Sequence, residues 1–286
     1  MSQPPPFGLL LDVDGPVASP VTRTVAPALL DDLRTLLGAG VPVVLNTGRS
    51  EAFVEDRVLR PLLDEGLPDG ARLHAVCEKG GVWTTAGSGE LHLDAALRVP
   101  EVCTTVVADL VADGFGDAMF VDDTKRTMAT VEARTDVPPA FYAERQRAFD
   151  AELLDRLAAA GLGVSLRDEH RPDAEGRLPW HIDPSVIATD VQSARAGKAI
   201  GVRRALDLLR ADGPRPLEWH TVGDSRTDYA MADQLHAFGH AVTHVDVGPQ
   251  PPVTGRPYPV RTVPGLTDDA AGAAHLRELV TLLQRA

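Results

Sequence analysis

The sequence predicts an α/β protein: a doubly wound parallel-sheet core with a smaller α+β unit inserted into it. Three observations carry that expectation. Unbroken apolar runs of strand length, such as Phe7–Val13 and Val41–Leu45, suit strands covered on both faces. Segments with leucines at helical spacing separate these runs, and strand–helix alternation is the pattern of a parallel sheet flanked by helices. The middle of the chain, roughly Val82–Thr189, changes to alternating and hairpin-like strands, as expected of a second unit set into the first.

The elements follow in order. Phe7–Val13 is the first strand and ends in acidic residues. The next segment places Leu30, Leu33 and Leu37 on one helical face, and Gly38 and Gly40 supply a stop. Val41–Leu45 is the second strand, ending at Asn46-Thr47-Gly48-Arg49, and Ser50 is a good N-cap for another helix. Leu73–Cys77 reads as a third strand. The middle stretch then offers a hairpin over 82–94, a helix near Val102–Ala112, a strand near Thr127–Glu132 and a long helix near Phe141–Ala160. Gly163–Glu169 and a strand around Ile182–Ile187 complete it. The parallel grammar returns with a helix over Ala199–Leu209, a strand Trp219–Val222 ending at Gly223-Asp224, and a last strand Ala241–Val247. The parallel core is therefore expected at residues 1–84 and 190–286, and the inserted unit at 85–189. Pro249–Pro259 reads as an ordered surface loop.

The 286 residues suffice for one large domain or two modest ones with a proper core. A 44% hydrophobic and 24% charged composition is that of an ordinary globular chain and speaks against disorder. The N-terminal apolar run lacks a basic leader and is broken by Asp12 and Asp14, which argues against a signal peptide. No stretch approaches the roughly 18 apolar residues of a membrane span. Two cysteines, Cys77 and Cys103, are too few for a disulfide framework, so the expected compartment is a reducing cytoplasm. They read as buried small apolar residues. A net charge of −13 argues against nucleic-acid and anionic-membrane partners. A small anionic substrate remains compatible with it, provided a bound cation and a few Lys or Arg side chains make a local positive pocket.

Four short motifs sit at the expected carboxyl ends of parallel strands or at the start of a helix, where open α/β sheets place their ligands. They are Asp12-Val13-Asp14-Gly15, Asn46-Thr47-Gly48-Arg49, Lys198 after Gly197, and Gly223-Asp224-Ser225-Arg226-Thr227-Asp228. Gly15 allows the chain to break so that both carboxylates face one pocket. Each motif alone also has a plain structural reading, as a turn with a capping aspartate, a common Thr-Gly-Arg turn, a solvated helix lysine, or an Asx-turn before a helix cap.

Their order, each following a strand, resembles the haloacid dehalogenase-like superfamily of phosphohydrolases over roughly residues 1–85 and 190–286. The insert matches in position and size the larger α/β cap of sugar-phosphate members. The resemblance implies a Mg²⁺-dependent phosphomonoesterase acting on a small phosphorylated metabolite, with a sugar phosphate as the expected substrate class. Asp12 would attack phosphorus and form an aspartyl-phosphate. Asp14 would protonate the leaving oxygen and then deprotonate water. Asp224 and Asp228, with the Asp12 side chain and the Asp14 backbone carbonyl, would hold Mg²⁺ through oxygen ligands. Thr47 would hydrogen-bond the transferring phosphoryl group and Lys198 would neutralise it, with Asn46, Gly48 and Arg49 lining the substrate side. Pro16 departs from the small polar residue usual after the glycine and removes a backbone N–H.

Cys77-Glu78-Lys79-Gly80-Gly81 is similar to the family's Glu-Asn-Gly turn leading into the cap, with Lys79 in place of Asn. Asp123-Thr124-Lys125 loosely resembles the acidic-x-Lys segment of trehalose- and sucrose-phosphate phosphatases. That makes Lys125 a candidate sugar contact, although a Lys-Arg pair before a strand is also ordinary solvated surface. His236, His240 and His244 are spaced by four, but Gly239 breaks the helix that would align them for zinc. Trp180-His181 reads as packing. Two other functions share the fold: a phosphomutase or phosphotransferase, which would carry every motif above, and a non-catalytic metabolite-binding protein. The presence of both Asp12 and Asp14 speaks against the latter.

Overall fold

The computed structural model describes residues 4–285. In chain order it begins with β1 (Gly8–Leu11), α1 (Pro27–Gly38) and β2 (Val43–Asn46). Next come α2 (Glu51–Val54) and α3 (Arg60–Asp64), joined by a π-helical turn, Glu55–Leu59. Then follow β3 (Leu73–Cys77), a 3₁₀ turn at Glu78–Gly80, β4 (Val82–Thr85) and β5 (Leu91–Leu93). The middle contains α4 (Glu101–Leu110), β6 (Met119–Asp122), β7 (Ala129–Ala133), α5 (Pro139–Ala159), β8 (Val164–Leu166), β9 (Glu169–Arg171), β10 (Trp180–Pro184) and β11 (Ala188–Ser193). The chain closes with α6 (Lys198–Asp212), β12 (Glu218–Gly223), α7 (Tyr229–Ala237), β13 (Ala241–Asp246), β14 (Val260–Arg261) and α8 (Asp268–Arg285). No helix among the described residues is long and apolar enough to cross a membrane.

The chain packs as two compact units, one formed by the residues up to His92 and from Gly197 onward, the other by Leu93–Ala196. The first is built on a sheet ordered β14-β13-β12-β1-β2-β3-β4-β5, parallel from β14 through β3. β1 is central and buried at all four positions, as its uninterrupted Gly-Leu-Leu-Leu requires. Helix α1 starts at Pro27, whose fixed φ suits a first helical turn, and packs with α8. Leu29, Leu33 and Leu36 from α1 and Leu276, Leu279 and Val280 from α8 cover one face of the sheet. Val202, Ala205 and Leu209 of α6 and Met231 and Leu235 of α7 cover the other against Leu10, Val44 and Val76. The Ser50 hydroxyl caps α2 by accepting from the Phe53 N–H at 3.3 Å.

The second unit has a six-stranded sheet ordered β6-β7-β11-β10-β8-β9. Helices α4 and α5 lie on one face, where Cys103, Val107, Phe149, Leu153 and Leu157 pack with Val131, Val164, Ile182 and Val191. Strand alternation sends Thr130, Glu132, His181, Asp183, Asp190 and Gln192 to the opposite face.

Four sequence-based expectations differ from the structure. The 82–94 hairpin, expected in the insert, extends the first sheet instead: β3 turns straight back through Glu78–Gly80 and pairs antiparallel with β4, from His74 opposite Thr85 to Cys77 opposite Val82. The single strand expected over 182–187 is the hairpin β10–β11. Pro184 has no N–H to extend the ladder, and the Ser185 N–H donates to the Ala188 carbonyl at 2.7 Å to close the turn. Strand β6 has no counterpart among the expected elements, because its Met-Phe-Val-Asp is short and follows a glycine-rich turn. Helix α8 was also missed, although its buried Leu276, Leu279 and Val280 have helical spacing.

Candidate active site

Strand β1 lies between β12 and β2, with Leu11 opposite both Val222 and Leu45, so the loops after the three strands emerge side by side. Asp12 leaves β1, Thr47 leaves β2 and Asp224 leaves β12. Gly15 makes the first loop possible: its φ is +85°, and a Cβ there would fall 2.6 Å from the Asp224 Cβ. Helix α6 brings in Lys198 at its first residue. Asn46 fixes that end, its Nδ2 donating to the Lys198 carbonyl at 3.0 Å, while Gly201 allows the close approach: a Cβ there would lie 1.9 Å from Asn46 Oδ1.

The Lys198 ammonium sits among three oxygens. It is 2.7 Å from Asp12 Oδ1, 2.9 Å from Asp228 Oδ1, and donates to the Asn46 carbonyl at 2.7 Å. Asp228 is fully enclosed, and its Oδ2 accepts from the Ser225 N–H at 3.0 Å and the Ser225 hydroxyl at 2.7 Å, a capping box at the turn into α7. One oxygen each from Asp12, Asp224 and Asp228 lie within 4.8 Å of one another. Three carboxylates in that arrangement can hold a divalent cation that prefers oxygen ligands.

The electrostatics follow from burial and crowding. Burial raises Asp12 well above the usual carboxylate range; Lys198 opposes this, while Asp228 and Asp14 add to it. Asp224 is pushed up to about 7, chiefly by burial and then by the Asp228 charge. Burial works to raise Asp228 too, but Lys198 and the Ser225 hydrogen bonds outweigh it and leave its carboxyl below the ordinary value. Burial likewise opposes the Lys198 charge, yet Asp12 and Asp228 together raise its pKa. The cluster has three carboxyl groups for one ammonium, and a cation of higher valence would favour the ionised form of all three.

The residues singled out in the sequence divide into groups. Asp12, Lys198, Asp224 and Asp228 come together as described. Asp14 turns aside, its carboxylate gripped by the Arg49 guanidinium, with Nη2 2.7 Å from Oδ1 and Nε 2.8 Å from Oδ2. Arg49, expected to face substrate, therefore serves Asp14 and lies over the Phe53 ring at 4.5 Å. Thr47 is enclosed, its Oγ1 accepting from the Arg49 N–H at 3.1 Å. Asn46, expected among the substrate contacts, is fully enclosed and its Nδ2 is bonded to the first residue of α6, so it positions Lys198. Gly48 lies beneath the Lys79 side chain. Lys125 belongs to the second unit, in the turn between β6 and β7. Sequence reasoning missed the partnership of Ser225 with Asp228, although Ser-x-x-Asp is a capping-box signal. It also missed the Arg49–Asp14 pair, which has no local signal because the partners are 35 residues apart.

No family model matches the chain. A curated relative, the phosphoglycolate phosphatase of Methanoculleus marisnigri, is 24% identical over 239 residues, covering 84% of this chain and 85% of the relative. The C-terminal domain of the trehalose-6-phosphate phosphatase of C. albicans superposes with a TM-score of 0.65 at 18% identity, over 97% of this chain and 93% of that one. A haloacid dehalogenase-like hydrolase from Bacteroides thetaiotaomicron does so with a TM-score of 0.60 at 12% identity, over 96% and 99%. This chain has the haloacid dehalogenase-like fold. Within the haloacid dehalogenase-like core, the four motifs stand at the carboxyl ends of the central strands and the start of α6. The similar proteins named as enzymes of known substrate are phosphatases.

Proposed function

We propose that this protein is a Mg²⁺-dependent phosphatase that hydrolyses a small phosphate monoester through an aspartyl-phosphate on Asp12. The observation that carries the reading is the Lys198 ammonium bridging Asp12 and Asp228, with Asp224 completing a three-carboxylate cluster at the ends of β1 and β12. Mg²⁺ fits that all-oxygen donor set, held by Asp12, Asp224 and Asp228; when bound, it would neutralise charge on the phosphoryl group. Asp12 supplies the nucleophilic oxygen. Asp14 supplies a carboxyl two residues on, able to protonate the leaving alcohol and then take a proton from water. The Thr47 hydroxyl and the Lys198 ammonium orient and neutralise the phosphoryl oxygens, and positioning with charge stabilisation is most of what such a transfer requires.

A sugar phosphate is the favoured substrate class. The second unit presents a sheet face rich in groups that hydrogen-bond hydroxyls, with Thr130 Oγ1 donating to Asp190 Oδ1 at 2.7 Å and Ser165 bonded to His181 at 3.0 Å. The match to a trehalose-6-phosphate phosphatase points the same way. We assign the second unit the part of the family's cap, the unit that selects the substrate, and Lys125 that of a sugar contact. Two free, buried cysteines suit a reducing cytoplasm.

The test is phosphate release from an aryl phosphate with and without Mg²⁺, comparing wild type with Asp12→Asn. The variant is expected to remain folded and lose nearly all turnover. Equal rates for the two proteins, or a rate indifferent to a chelator, would overturn the mechanism.

A further inference from the structure

Asp224, one of the three clustered carboxylates, is held between two stretches of bare backbone. On one side lies Gly15, where a Cβ would fall 2.6 Å from the Asp224 Cγ. On the other lies Gly248, where a Cβ would collide with the Asp224 carbonyl oxygen. The first support belongs to the Asp12 loop. The second belongs to the loop after β13, and that loop has a fastening of its own.

Strand β13 ends at Asp246, which stands opposite Gly223, the last residue of β12. The Val247 N–H donates to the Gly223 carbonyl at 2.9 Å and carries the pairing one residue past the strand. Asp246 Oδ1 then accepts from the Gly248 N–H at 2.9 Å, which turns the chain back over Asp224. Asp246 Oδ2 accepts from the Tyr229 hydroxyl, whose oxygen in turn accepts from the Val253 N–H at 2.9 Å. Tyr229 is the residue after Asp228 and opens α7. One hydroxyl thus ties the turn that carries Asp228 to the loop that backs Asp224. Tyr229 and Asp246 are both buried, where a polar group is costly unless it is hydrogen-bonded, and here each satisfies the other. The ring does not need its hydroxyl to stay in place: it packs on the His244 ring at 4.2 Å between centroids, and the Arg256 guanidinium lies 5.1 Å from its centre.

Mg²⁺ demands near-ideal octahedral geometry, whereas the larger Ca²⁺ accepts wider and more flexible oxygen sets. Two carboxylates whose main chains are fastened to each other resist the expansion that Ca²⁺ would need. We propose that Tyr229, acting through Asp246, is a positioning residue that holds Asp224 and Asp228 at a spacing suited to Mg²⁺ and sets the preference of the site for Mg²⁺ over Ca²⁺. The proposal rests on the metal-site part of the phosphatase reading and adds what holds that site to one size.

The test follows Mn²⁺, a probe visible by electron spin resonance that also takes octahedral oxygen sites, as Mg²⁺ and Ca²⁺ displace it from the full-length protein. No turnover is needed. Wild type is expected to prefer Mg²⁺. Tyr229→Phe should weaken Mg²⁺ about tenfold, the scale on which the outer partners of metal ligands act, and should weaken Ca²⁺ less, so the preference narrows. Asp246→Ala should do the same, and the double variant should lose no more Mg²⁺ affinity than Asp246→Ala alone, because both changes break one link. Either single variant suffices if the other fails to fold. Tyr258→Phe is the control: its hydroxyl is also buried but donates to Asp233 Oδ1 at 2.7 Å, so both dissociation constants should stay as in wild type whatever its melting temperature. Unchanged Mg²⁺ binding in Tyr229→Phe, or an equal loss for both ions, overturns the assignment, while Mg²⁺-dependent phosphate release by wild type would leave the phosphatase reading intact. A wild type that holds neither Mn²⁺ nor Mg²⁺ overturns the metal site and this assignment with it.

Discussion

The Arg49 guanidinium closes on the Asp14 carboxylate through three hydrogen bonds, from Nε to Oδ1 at 3.0 Å and Oδ2 at 2.8 Å and from Nη2 to Oδ1 at 2.7 Å. Charge-assisted contacts of this kind fix orientation as well as energy, and a lysine cannot reproduce the fork. Arg49 thereby decides where the carboxyl next to the nucleophile points.

If Asp14 delivers a proton to the leaving oxygen, Arg49→Ala should harm poor leaving groups most. We expect alkyl phosphates to lose about 10²-fold in kcat, the scale of a general acid's contribution, while p-nitrophenyl phosphate, whose leaving group needs little protonation, loses much less. Steady-state rates across a series of leaving-group pKa values measure this. A uniform drop along the series would assign Arg49 to binding instead.

Lys198 is the counter-charge for a buried pair of carboxylates. Lys198→Met should destabilise the protein by about 3–5 kcal/mol, the effect of removing one partner from a buried ionic cluster. Mg²⁺ should restore part of the loss, so the melting temperature of the variant is expected to rise more steeply with added Mg²⁺ than that of wild type. Thermal melts over a Mg²⁺ series decide the point, and parallel responses in the two proteins would count against a shared carboxylate site.

Gly201→Ala should be poorly tolerated although it lies inside a helix, where alanine is normally the better residue. The added methyl would fall 1.9 Å from Asn46 Oδ1 and 2.5 Å from its Cγ. Overpacking of this kind destabilises by about 1–3 kcal/mol, and the shift of α6 away from β2 should displace Lys198 and lower turnover as well. Denaturant midpoints and phosphate release read the two effects separately.

Asp150 in α5 gives a pH signature to the second unit. Burial lifts its carboxyl to about 6, opposed by the Thr189 hydrogen bond and then by Arg167. In the unfolded chain it titrates near 3.8. Between those values the folded state binds the additional proton, so stability falls as pH rises from about 4 to 6 and stays lower above that. The difference corresponds to about 3 kcal/mol. Asp150→Asn should therefore stabilise the protein at pH 8 and change little at pH 4, as measured by urea unfolding at the two pH values. An equal effect at both would remove ionisation as the cause.

The sequence by itself determined the parallel core and the identity of its chemical groups. Parallel strands buried on both faces are largely apolar runs, and Gly8–Leu11, Val43–Asn46 and Leu73–Cys77 are legible for that reason. Asp12, Lys198, Asp224 and Asp228 were legible because residues that follow such strands, or begin the next helix, converge at one sheet edge whatever the details. The short, partly exposed strand β6 and the β10–β11 hairpin were harder to see, since tertiary pairing and not local pattern sustains them. Only the tertiary structure decided how the site is wired: that Arg49 belongs to Asp14, that Asn46 holds α6, and that Lys198 spans Asp12 and Asp228. Those partners are 35 and 152 residues apart for the first two pairs, and distance along the chain carries no record of which side chains a fold will bring within 3 Å.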